Sequence, residues 1–247
     1  MNRKAAARMA GHSTVAQVDF ALASDEDNRR ASFAQVTNWE LFAPDGQPVK
    51  GGVYDLRMGT IDHDVNCVTC SHNKKLCLGH RGSVELRAGV FQPIAIAEVR
   101  RWLKVACHSC GALVVPREKF ARVGAGRRLH EAAAAATEGR CARCGAAQPR
   151  IAKDDDDHFT FWAEPPAPAE KKRRAEKRGV KLYPDQVRAI FERVADSDVL
   201  ALGRPLTSHP RHLVLRVLEV PPNTVRPSVR HFGGTGSSYH DSTNLIQ

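Results

Sequence analysis

No stretch of the 247 residues stays apolar for the ~18 positions a helix needs to cross a bilayer. The start, MNRKAAARMAGH, is basic and Ala-rich but has no apolar core of the kind a secretory signal carries. It reads as a frayed tail rather than a transit peptide. With no export signal, the cysteines are expected to be reduced thiols in a cytosol-like compartment. There are seven of them, an odd number that fits poorly with a closed disulfide framework. Acidic residues are also short: 27 Asp plus Glu stand against 37 Lys plus Arg, a formal charge of +10. A pI near 9.5 favours polyanionic partners such as nucleic acid. Two catalytic signatures are missing as well. Neither H-E-x-x-H nor H-x-E with P-C-x-x-C occurs, which argues against a zinc protease or deaminase.

What is present is concentrated. All seven cysteines lie between positions 67 and 144, and six form C-x2-C pairs: Cys67/Cys70, Cys107/Cys110 and Cys141/Cys144. Two intervening residues let a tight turn aim both sulfurs at one ion, with Zn–S distances of about 2.3 Å. A first site is read as Cys67, Cys70, Cys77 and His80. His72 and His63 compete for the fourth place, and the repeated x2 spacing favours His80. A second site is read as Cys107, Cys110, Cys141 and Cys144, with thirty residues between the pairs. Each of its pairs is followed by Gly, which permits a φ > 0 turn. His108 is read as a bystander. Both sets close with four protein ligands and leave no position for water, so the expectation is two structural zinc ions rather than a catalytic one.

The rest of the chain suggests short elements. Residues 17 to 36 read as a strand and then a helix capped by Ser24, with Asp25, Glu26 and Asp27 in its first turn. SVELRAGVF reads as a strand, and IAIAEVRRWLKVAC as a helix with Ile96, Val99, Trp102 and Leu103 on one face. HEAAAAATEG reads as a helix ended by Gly139. Residues 152 to 181, with DDDD, PPAPAE and KKRRAEKR, read as a charged surface excursion. Order resumes at YPDQVRAIFERVADSDVLALG. Pro184 opens a helix there, with Val187, Ile190, Phe191 and Val194 on its apolar face, and Asp196 or Ser197 caps a shorter turn ended by Gly203. HLVLRVLEV reads as a buried strand, PPNTVRPSV stops regular structure, and the last twenty or so residues show no sign of closing a core.

Five segments in order carry a resemblance: GTIDHDVNCVTC…CLGHRGSVELRAGVF, VACHSCGALV, CARCGAAQPRI, YPDQVRAIFERVADSDVLALG and LVLRVLEVPPNTVRPSV. Together they resemble the N-terminal region of the largest subunit of multisubunit DNA-directed RNA polymerases, of the eukaryotic, archaeal or large-DNA-virus type. The likeness runs from about Val18 to Val229. It implies an α+β, loop-rich, zinc-stapled clamp region with short helices and small antiparallel sheets, which holds template DNA as part of a nucleotidyltransferase. Implied boundaries are a tail over 1–16, a clamp core over 17–151, an insert over 152–181, a helix–strand return over 182–229 and a polar tail over 230–247.

The resemblance also implies what is elsewhere. The Mg²⁺-binding Asp loop, lid, rudder, bridge helix and trigger loop have no match here, so Mg²⁺ would be bound only in the complete polymerase. The chain would then be an N-terminal piece, from a split gene or a truncated product. Its partners would be the second-largest subunit, a chain carrying the rest of the largest subunit, and template DNA, inside the cell in nucleus, cytoplasm or virion. Leu78 stands where the family usually has Pro. Arg226, in the stretch 220–228 leading from the clamp core, is the candidate for contact with nucleic acid or a partner subunit, and the alternative reading of it is an Arg that anchors a turn. A reading from another class is a stand-alone zinc-binding, DNA-binding transcription regulator, which would need a self-contained fold and its own affinity for DNA.

Overall fold

A computed structural model describes Val15 and residues 21–136, 139–154, 157, 159–165, 179–230 and 237–246. The tail read over 1–16, Val15 apart, lies outside these residues. So do positions 17–20 of the first strand and the basic run of the insert. The first element is helix α1, Asp25–Ala31. Ser24 caps it as expected: its hydroxyl accepts the Asp27 N–H at 3.1 Å, and the Asp27 carboxylate accepts the Ser24 N–H at 3.0 Å. Three acids in the first turn and Arg29 and Arg30 in the last suit the helix dipole.

The central sheet joins β1 (Ala34–Gln35), β2 (Gly82–Phe91) and β6 (Val214–Val220) in the order β1-β2-β6. β2 and β6 run antiparallel from Gly82↔Val220 to Phe91↔Val214, with a bulge between Glu85 and Val90. β1 pairs parallel with β2, so the sheets are not all antiparallel. At the bulge the Gly89 N–H donates to the Asp185 carboxylate at 3.2 Å, and Arg216 pairs with the same group at 2.7 Å. Asp185 sits in the first turn of α4 (Pro184–Phe191), so this helix is keyed to the irregular point of the strand.

The core lies over this sheet. Helix α2, Ile96–Val105, buries Val99, Trp102 and Leu103 of the expected stripe, while Ile96 is only half-buried at its edge. They pack with Phe120, with Leu129 of α3 (Arg128–Ala135) and with Val187 and Phe191 of α4. Each large apolar side chain so buried contributes roughly 1.5–3 kcal/mol. A smaller cluster of Ala34, Val36, Val53, Met58 and Val220 forms beside it.

Four expectations are corrected. Helix α3 starts earlier than expected and ends at Ala135, with Ala136 already extended, so Gly139 does not terminate it. Helix α5, Asp196–Ala201, has Ala195 at its cap, and the Asp196 and Ser197 side chains supply no cap hydrogen bond. The insert is not wholly an excursion. β3 (Arg150–Lys153), β4 (Phe161–Glu164) and β5 (Val180–Leu182) form an antiparallel sheet that brackets it, because Phe161 and Leu182 find places in the core. Finally, the polar C-terminal stretch does pack. β7 (Val229–Arg230) pairs with β8 (Ser237–Ser238), and α6 (Asp241–Ile246) buries Thr243 and lays Ile246 on the smaller cluster.

One carboxylate ties α1 to the sheet. Asp25 accepts the backbone N–H groups of Arg216 at 2.9 Å and Val217 at 3.0 Å and pairs with Arg188, and its side chain is only 12% exposed. Burial alone would raise its carboxyl, but Arg188 and the two N–H groups outweigh that and hold it below its ordinary value of 3.8. Asp25→Asn should therefore cost about 2 kcal/mol in urea unfolding at neutral pH. Because the folded value is depressed, the wild-type advantage should be full above pH 3.8 and shrink as pH falls below it.

Candidate metal centres

Three cysteine turns share one backbone design. In each, the N–H of the first cysteine donates five residues ahead, and the residue four ahead donates back to that cysteine's carbonyl. Cys67 pairs this way with His72 (2.9 Å) and Ser71 (2.8 Å), Cys107 with Ala112 (2.8 Å) and Gly111 (2.9 Å), and Cys141 with Ala146 (2.8 Å) and Gly145 (2.8 Å). The returning residue has positive φ in all three: 59° at Ser71, 76° at Gly111 and 71° at Gly145. Both sulfurs of each C-x2-C are thereby turned to one side.

Two four-membered groups result: Cys67, Cys70, Cys77 and His80, and Cys107, Cys110, Cys141 and Cys144. Within each, all candidate ligand atoms lie within 4.8 Å of one another. In the second group Cys107 Sγ is 3.6 Å from Cys144 Sγ, and Cys110 Sγ is 3.7 Å from Cys141 Sγ. A disulfide would need about 2.05 Å. Four sulfurs placed tetrahedrally at about 2.3 Å from one ion would be about 3.8 Å apart, so the cage has the dimensions of a filled zinc site. In the first group His80 Nε2 is buried with no hydrogen-bond partner, the state of a ring nitrogen kept for another ligand. The His80 N–H is fixed on the Met58 carbonyl at 3.1 Å, and its ring tilts against Phe33 at 4.9 Å.

Electrostatics agree with the geometry. The His80 imidazole beside Cys70 pulls that thiol down to about 6, whereas burial pushes Cys77 up to about 11. In the second cage burial opposes ionisation of Cys107, yet the N–H groups of Cys110 and Ser109 bring it down to about 6. Cys110 receives help from Ala112, but burial and its three sulfur neighbours push it up to about 12. One thiolate forms readily in each cage and the next is resisted, a conflict that a divalent cation removes.

The competing histidines fall outside both groups. His63 and His72 are exposed, and the latter offers its knuckle a backbone carbonyl. His108 turns its Nε2 to the Leu103 carbonyl at 3.1 Å, and burial lowers its pKa. A residue that spacing did not single out is Gln148. Its amide donates to Cys107 Sγ at 3.2 Å and to the Ala146 carbonyl at 2.9 Å, while its Oε1 accepts the His108 N–H. Such outer contacts orient ligands, and no periodicity marks them. Leu78, the departure from the family's Pro, is 95% exposed and carries no buried role.

Of the two readings of Arg226, surface contact is corrected and the turn anchor stands. It is 1% exposed and so presents no surface to nucleic acid or a partner subunit in this fold. Its guanidinium donates to the carbonyls of Val53 (2.8 Å) and Pro221 (2.9 Å), to Asn223 Oδ1 (3.0 Å) and to Thr243 Oγ1 (3.2 Å), and it lies over the Tyr54 ring. Beside it the Asn223 amide reaches the carbonyls of Tyr54, Asp55 and Gly59 at 2.9–3.2 Å. Only groups with several donors satisfy so many buried carbonyls, so the stretch after β6 is a staple on the loop that feeds the first cage.

With this geometry in view, the comparisons with known proteins define a class. Residues 12–247 match the family described as RNA polymerase Rpb1, domain 1, and the chain belongs to that family. Over 241 residues it is 43% identical to a protein named DNA-directed RNA polymerase RPB1 homolog from African swine fever virus (strain Badajoz 1971 Vero-adapted), covering 96% of this chain and 16% of that protein. It is 30% identical over 228 residues to DNA-directed RNA polymerase subunit Rpo1N of Methanothermobacter thermautotrophicus, and 29% identical over 243 residues to its namesake in Thermoplasma acidophilum. It covers 24% and 25% of those two proteins. The chain thus spans a quarter or less of the relatives it matches. These relatives do not favour the stand-alone regulator.

Two outcomes test the site. Gly111→Ala places a Cβ against the Arg193 carbonyl at positive φ, whereas the same change at Gly145 meets open space. Gly145→Ala should cost about 1 kcal/mol of backbone strain. Gly111→Ala should cost visibly more in a thermal melt and release metal to a chelator sooner. Arg226→Ala should destabilise by about 3 kcal/mol, with Arg226→Lys recovering only part. An unchanged melting temperature for both would return Arg226 to the surface.

Proposed function

We propose that this chain is the clamp region at the N-terminus of the largest subunit of a DNA-directed RNA polymerase, stiffened by two structural zinc ions. Cys67, Cys70, Cys77 and His80 would hold one ion, and Cys107, Cys110, Cys141 and Cys144 the other. The observation that carries this reading is the pair of closed four-donor cages in a chain of the Rpb1 family.

A clamp that swings over its template must move as one piece. Much of this chain is loop, and hydrophobic burial alone gives a loop-rich region little stiffness. Zinc binding of roughly 10–16 kcal/mol in finger peptides matches or exceeds the whole stability of a typical domain. The charge of +10 supports a sequence-independent, salt-dependent hold on template DNA. Leu76 and Leu78, 65% and 95% exposed beside the first cage, support contact with another polymerase subunit. Nucleotide addition on Mg²⁺ is then the work of residues elsewhere in the complex. The same reading puts the chain inside the cell.

Elemental analysis of the purified chain should find two zinc ions. Cys70→Ala and Cys110→Ala should each remove one, loosen only the lobe around it, and abolish recovery of the second-largest subunit with the tagged chain. Normal assembly and transcription by both variants would overturn the proposal.

A further inference from the structure

The outer face of α2, with Ile96 at its edge, borders an open pocket of about 400 Å³ that α3, β3 and β4 also line. Its floor is apolar: Ile96 and Ala97 from α2, Ala133 and Ala134 from α3, and Phe161 from β4. The Phe161 ring is 1% exposed and locked edge-on against Phe91 at 5.5 Å. The rim is cationic, with Arg100, Arg101 and Lys104 from α2 and Lys153 from β3, and His130 from α3 beside them. Among the described residues no Asp or Glu lines the cavity. Among the described residues none of these four cations has a carboxylate within ion-pair distance, although arginines elsewhere in the chain, such as Arg29, Arg57 and Arg188, are paired. Burial, Arg100 and Arg150 all push the Lys104 ammonium down, with nothing opposing them. Among the described residues, then, these four repelling charges stand around an apolar hollow without an ion-pair partner, with Glu131 beside His130 alone, an arrangement that an anion with an apolar part would relieve.

We propose that this cavity is a docking site for an acidic segment of a partner protein, with an apolar side chain on the floor and flanking carboxylates on Arg100, Arg101, Lys104 and Lys153. Guanidinium forks suit bidentate carboxylates. Two features favour a peptide over nucleic acid. Base stacking is best served by an exposed Phe, Tyr or Trp, and the one such ring among the described lining residues, Phe161, is sealed into the core, which leaves only the His130 imidazole at the rim. Backbone phosphates, moreover, would leave the apolar floor unused. The inference goes beyond the polymerase reading and does not depend on the metal sites.

The test uses the full zinc-loaded chain and three fluorescein-labelled probes. One is an Asp/Glu-rich peptide with a central Phe, the second the same peptide with Ser in place of Phe, and the third an oligothymidine. The Phe peptide should bind at least about tenfold more tightly than the Ser peptide. Arg100→Glu combined with Lys104→Glu should weaken it by about tenfold or more and leave the oligothymidine within about twofold. Ala97→Trp, which fills the floor without changing charge, should weaken the Phe peptide alone, and it keeps the test valid if the charge reversal fails to fold. Three results would overturn the proposal: equal binding of the two peptides, no peptide binding, or a charge reversal that weakens oligothymidine as much as peptide. Zinc content of the same preparations reports separately on the metal reading.

Discussion

Four soft donors brought within 4.8 Å of one another are an unstable company unless something positive sits between them. Each cage ionises one thiol near neutrality and resists the next, because burial and the neighbouring sulfurs both oppose a second charge. The chain builds this tension twice with the same turn, in which a cysteine N–H and carbonyl are both spent inside the loop. Those hydrogen bonds fix the sulfur directions before any ion arrives. What remains for a cation is charge neutralisation, and sulfur-rich donors of this kind suit a thiolate-seeking ion such as zinc better than a larger, oxygen-seeking one.

The two cages depend on their surroundings differently. The second is an extension of the main core: α2 runs from the buried Trp102 straight into Cys107, and Arg193 holds the His108 carbonyl at 2.8 Å. The first rests on the smaller apolar cluster, and polar staples supply the rest of its support. Asp55 accepts the Gly51 N–H at 2.6 Å and pairs with Arg57 at 2.7 Å, while Asn223 and Arg226 fasten the same loop from the far end of the chain. An apolar stripe tolerates volume-conserving change, but a multi-donor staple does not.

Sequence spacing made the two four-donor groups legible because metal geometry imposes short, repeated intervals that chance seldom supplies. The Ser24 cap, the α2 stripe and the α4 face were legible for a similar reason, since each obeys a local rule. What escaped obeys none. The β3-β4-β5 sheet was hidden by the charged run between two of its strands, and its strands are short. Arg226 looked like a ligand-facing residue because buried arginines are rare, and only three-dimensional contact reveals the ring of carbonyls that keeps it inside. The helix over Asp241–Ile246 was masked by polar composition, and Thr243 is buried as a partner for Arg226.

The staple on the first cage has a temporal side. The second cage closes with residues between about 103 and 148, within one contiguous stretch of chain. The first has its ligands by position 80, yet the groups that steady its feeding loop sit at 223, 226 and 243. The second cage too leans on later chain, on Arg193 and the α4 face, and the stapling of the first loop comes after that. Long loop closure also makes that second event the slower one. The late-arriving turn of backbone then acts as a latch on the loop that feeds the first cage.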